Sequence, residues 1–122
     1  MKKIFYLAVL LGFVTSIAFA ADMPTTKAVT LKGYVIDNMC ATSNKEKLGE
    51  FVKTHTKTCM LKASCLTSGY SIYSDGKLSK FNKESNSKIQ EFLKKEDSKS
   101  EVEISAESVG DELNLISIKN QS

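Results

Sequence analysis

The chain has 122 residues, with 17 Lys against 14 acidic residues, one His, one Pro, three Cys and no Trp, and every basic residue other than the His is Lys. Arg forks and aromatic stacking surfaces are the usual tools of nucleic-acid readers, so a nucleic-acid partner is not expected. Without Lys2 and Lys3 the balance is 15 Lys against 14 acids, and these charges are scattered rather than striped, so no acidic or basic partner is implied.

Lys2 and Lys3 precede an apolar run from Ile4 to Ala20, and Ala18-Phe19-Ala20 supplies the small residues that a signal peptidase reads. This pattern predicts a secretory signal peptide over residues 1–20, cleaved after Ala20. The run lies at the short limit for a membrane span, about 17–25 residues. No Cys sits at the cleavage point, so no stable membrane anchor is expected after cleavage, and the mature protein is expected in the periplasm or the medium. Residues 21–28 read as a polar lead-in, and residues 29–119 as a single domain carrying an insert over 40–69.

Val29, Leu31, Gly33 and Val35 alternate with Thr30, Lys32, Tyr34 and Ile36, which predicts a first strand, with Gly33 marking a bend or a close backbone approach. The strand ends around Asp37-Asn38-Met39-Cys40. Ser43 and Glu46 are spaced as a capping box, and Leu48, Phe51, Val52 and His55 follow at helical spacing. The β-branched stretch from Thr54 to Thr58 predicts a break there, and Cys59 to Leu66 one or two further helical turns, stopped at Ser68-Gly69.

Tyr70 to Ser74 reads as a strand, Asp75-Gly76 as a hairpin turn whose two residues tolerate positive φ, and Lys77 to Asn82 as the return strand, with Leu78 and Phe81 facing inward. A second capping box, Ser87 to Gln90, predicts a short helix with Ile89, Phe92 and Leu93 on its apolar face. The stretch from Lys94 to Ser100 is a solvated connector. Val102, Ile104 and Ala106 alternate with Glu101, Glu103 and Glu107, and Leu113 to Ile118 follows the turn at Gly110-Asp111 as the last strand. The expected fold is β-rich α+β: an OB-like, five-stranded, partly open barrel. It carries a helical Cys/His insert between strands 1 and 2 and a helix between strands 3 and 4.

Gly33, Asp37, Cys40, His55, Cys59, Cys65, Gly69 and the Asp75-Gly76 turn form a pattern. It resembles that of a loosely defined group of small exported bacterial proteins of unknown function: a strand ending in an acid and a Cys, then a His, two Cys, a Gly and a hairpin. The segment from Val102 to Ile118 resembles the closing hairpin of the same group. The resemblance implies no activity, and the Cys59-to-Cys65 gap is wider than in many of its members.

Cys40, His55, Cys59 and Cys65 are the chemical candidates, expected to converge in space. Three thiolates and an imidazole make a tetrahedral set for zinc or copper, with Asp37, Met39 and Met60 as further donors nearby. His55 and Cys59, four apart, point the same way on a continuous helix. The competing reading is a structural disulfide of Cys40 with Cys59 or Cys65, which suits an exported chain. It makes the domain an interaction module for a peptide, glycan or protein partner. An odd Cys count leaves one thiol over, for a ligand or a disulfide-linked dimer. A third reading is thiol/disulfide redox chemistry, although no C-x-x-C accompanies it. No G-x-S-x-G elbow and no phosphate-cradling loop occur, which points away from an enzyme. Tyr34, Tyr70 and Tyr73 read as strand packing or an aromatic patch.

Overall fold

The computed structural model describes residues 27–122. The expected signal peptide, its cleavage point and most of the lead-in lie outside the described residues.

β1 (Lys27–Asp37) begins two residues before the expected Val29. Its first eight residues pair antiparallel with β4 (Glu101–Val109), from Lys27↔Ser108 to Tyr34↔Glu101. Its second half pairs with β2 (Tyr70–Ser74), from Tyr34↔Tyr73 to Asp37↔Tyr70. Gly33 sits where the strand changes partner. A Cβ there would stand 2.1 Å from the Tyr73 carbonyl oxygen, so the expected close backbone approach is real and only Gly fits.

The Asp75-Gly76 turn, with φ of 50° and 75°, joins β2 to β3 (Lys77–Phe81). β3 meets β5 (Glu112–Asn120) in parallel over only Lys80↔Glu112 and Phe81↔Leu113. β5 pairs antiparallel with β4, with an irregularity between Ser105 and Ala106. The result is a β-rich α+β fold in which five strands of mixed direction run as a ring in the order β1-β2-β3-β5-β4. Its interior is filled by Val35, Ile72, Phe81, Val102, Ile104, Ala106 and Leu115, the inward half of each alternation.

α5 (Lys83–Lys94) crosses between β3 and β4, as expected, and closes one side of that core with Ile89, Phe92 and Leu93. Its start corrects the Ser87 capping box. Asn82 is the N-cap, accepting from the Ser85 N–H at 3.0 Å, and so the helix begins a full turn earlier. Leu78 is also corrected. It is 38% exposed, because Phe81 is buried and residues three apart on a strand face opposite sides.

Between β1 and β2 lie four short helices: α1 (Asn38–Ser43), α2 (Leu48–Thr54), α3 (Lys57–Met60) and α4 (Ala63–Ser68). A 3-10 turn, Lys45–Lys47, links the first two. The Ser43–Glu46 capping box does not form. Ser43 closes α1, its hydroxyl donating back to the Met39 carbonyl at 3.0 Å. Ala41, Leu48 and Val52 pack on Ile36 with Phe51 and Tyr73, making a second apolar cluster on the outer face of β1 and β2. Tyr34 and Tyr73 belong to that outer face, whereas Tyr70 points into the main core, so the three tyrosines do not form one patch.

Candidate metal centre

Asp37 is the last residue of β1 and the N-cap of α1, with extended φ and ψ of −70° and 145°. Its Oδ2 accepts the Cys40 N–H at 2.9 Å, which satisfies an otherwise unpaired helix donor. This cap directs the Cys40 side chain alongside the carboxylate. Asp37 itself is fully buried.

α4 returns beside α1. Asn38 donates through its side-chain amide to the Ser68 carbonyl at 2.8 Å, its backbone N–H reaches the Gly69 carbonyl at 2.9 Å, and the Met39 N–H reaches the Ser68 hydroxyl at 3.2 Å. Gly69 ends α4 with φ of 79°, a conformation suited to Gly. These bonds hold Cys65, buried on α4, against Cys40 and Asp37. One donor atom from each of Asp37, Cys40 and Cys65 lies within 4.8 Å of the others.

His55 arrives from a break in the insert. α2 ends there, His55 turns extended (φ −70°, ψ 129°), and Thr56 caps α3 by accepting from the Cys59 N–H at 3.3 Å. The break at Thr54 to Thr58 is as expected, and it removes the continuous helix that would have aligned His55 with Cys59. The ring packs on Phe51, centroid to centroid 4.8 Å, and its Nε2 lies 2.8 Å from Asp37 Oδ1. With Asp37 ionised, Nε2 carries a proton and donates to it.

The electrostatics follow from burial around one carboxylate. Burial pushes Asp37 up, but the Cys40 N–H, His55 and the two thiols outweigh it and hold the group below its ordinary 3.8. Burial and the adjacent Asp37 push the Cys40 thiol up to about 12, and the Cys65 thiol is raised by the same two causes. Tyr70 underlies the cluster. Its hydroxyl donates to the Met60 carbonyl at 2.8 Å, and burial followed by the charge of Asp37 pushes the phenol up to about 12.

Of the expected set, Cys40 and Cys65 meet beside Asp37, whereas His55 reaches the carboxylate alone and its ring nitrogens lie outside this three-donor group. Cys59 sits half-buried on α3, outside this group. Met60 is a core residue and Met39 is exposed, so neither thioether belongs to the cluster. All three Cys carry free thiols here. Asp37 was legible as a nearby carboxylate. Its central role follows from an Asp at a strand-to-helix junction, a residue suited to the N-cap, with Cys40 three positions on.

A separate cleft of about 550 Å³ opens at the other end of β1, lined by Val29 and Leu31, the β2–β3 turn and the β4–β5 turn. Six residues of strand, roughly 20 Å, separate Leu31 from Asp37. Comparison of the chain with protein families, with curated proteins and with solved structures returned no match.

Proposed function

We propose that this chain is a small exported binding protein whose strand ring is an OB-like barrel and whose insert holds one transition-metal ion, zinc before copper. One observation carries the reading: the donor atoms of two thiols and a carboxylate, from two helices and a strand end, lie within 4.8 Å of one another. Two thiolates with a carboxylate suit zinc, and the thioethers that favour cuprous copper are elsewhere. Cys40, Cys65 and Asp37 are the donors, and His55 orients the carboxylate through its Nε2. The enclosure fits an ion better than an organic substrate: the His55 side chain is 6% exposed and that of Asp37 0%. The OB-like reading is supported by the strand order and by the helix between β3 and β4.

Titration of the reduced, metal-free protein with zinc and with cuprous ions tests this. One equivalent of zinc is expected to bind. Binding is lost in Cys65→Ser, weakened at least tenfold in His55→Ala and unchanged in Cys59→Ser, with far-UV circular dichroism as the folding control. Equal, weak binding by the wild type and Cys65→Ser overturns it.

A second reading draws on the cleft at the far end of β1. There the thiols serve only as a Cys40–Cys65 staple, and the apolar walls of Val29, Leu31, Leu78 and Leu113 seat a peptide, glycan or protein partner. A catalytic redox role is disfavoured, since no C-x-x-C accompanies the pair.

A further inference from the structure

Resting on the metal reading, we infer that the same two sulfurs form a redox switch, in which a Cys40–Cys65 disulfide and a bound ion exclude one another. The geometry supports both states. Two sulfurs on one tetrahedral zinc at about 2.3 Å stand roughly 3.8 Å apart. Here the sulfurs of Cys40 and Cys65 lie within 4.8 Å, and a disulfide requires about 2.05 Å. The two helices are clamped by Asn38 and Ser68, contacts that use neither sulfur. A change in sulfur bonding therefore leaves α1 and α4 in register.

The chemistry needs a disulfide oxidant. Cys40, half-buried where Cys65 is buried, is the entry point. Its thiolate attacks one sulfur of the oxidant, the oxidant's S–S bond breaks, one thiolate leaves and a mixed disulfide forms. The Cys65 thiolate then attacks the Cys40 sulfur and displaces the second thiolate. Two electrons pass from the protein sulfurs to the oxidant, and zinc keeps its charge. A disulfide sulfur carries no thiolate charge, so the site loses two of its donors and the ion departs. Cys59, outside the cluster, takes no part.

The test is to load the reduced protein with one equivalent of zinc, add glutathione disulfide, and follow zinc release with a chromogenic chelator beside non-reducing peptide mapping. One zinc released per Cys40–Cys65 disulfide is expected, in Cys59→Ser as in the wild type, with binding restored by dithiothreitol. Zinc retained after oxidation, or released with a disulfide that includes Cys59, overturns the switch and leaves the metal reading standing. A reduced protein that takes up no zinc overturns both.

Discussion

Asp37 is asked to do three things at once: end a strand, cap a helix and anchor the His55 ring. Replacing it by Ala removes the cap, worth about 0.5–2 kcal/mol, and strips a buried partner from His55. We expect Asp37→Ala to lower stability by about 3 kcal/mol in urea unfolding of the reduced, metal-free protein. The pH dependence has a definite sign. The folded carboxyl lies below its ordinary 3.8, so between the two values the unfolded chain binds more protons. Its contribution is present above the ordinary value and is lost as pH falls through the folded one. Asp37→Asn removes this titration, so its unfolding midpoint should fall less steeply than that of the wild type between about pH 5 and pH 2. Parallel slopes for the two proteins would show that the carboxylate is not held ionised by its neighbours.

Among the elements, β1 is the strand that passes from one partner, β4, to the other, β2, along its length, and Gly33 is its pivot. Gly33→Ala drives a methyl group into the Tyr73 carbonyl and should cost about 3 kcal/mol. Gly110→Ala meets no atom within 4 Å and carries only the strain of a φ of 60°, so about 1 kcal/mol is expected. Comparable losses in urea unfolding would remove the case for a crowded pivot. This pivot was legible because Gly interrupts a clear period of two. So were the Asp75-Gly76 turn and the Val102, Ile104, Ala106 face, where alternation and turn chemistry agree. Helix starts were read less well. Ser87 and Gln90 have the spacing of a box, yet Asn82 already caps the chain after Phe81, and the first good cap wins because propagation beyond it is cheap. The His55–Cys59 spacing aligns the pair only on a continuous helix, and the expected break, with Thr56 capping the next helix, removes that condition. The cluster around Asp37 joins residues 28 positions apart, from Asp37 to Cys65, a closeness that spacing alone does not encode.

At the scale of the molecule, the ion proposed for Asp37, Cys40 and Cys65 would tie the insert to the ring. Zinc at a hundred times its dissociation constant should stabilise the fold by about 2.7 kcal/mol, read as a rise in melting temperature that Cys65→Ser does not show. An equal rise in that variant would assign the zinc to some other group. The second consequence comes from the order of pairing. β1 finds β2 across the insert, but Lys27 finds Ser108 only across most of the described chain. Contacts so far apart in sequence slow the closing step, because the loop entropy is spent before the ladder forms. A chain delivered amino end first, as every nascent chain is, therefore has all of Asp37, His55 and Cys65 in hand while β4 is still missing. Assembly of the thiol cluster can precede closure of the ring, and a refolding experiment would then see zinc taken up in an earlier kinetic phase than the burial of Ile104.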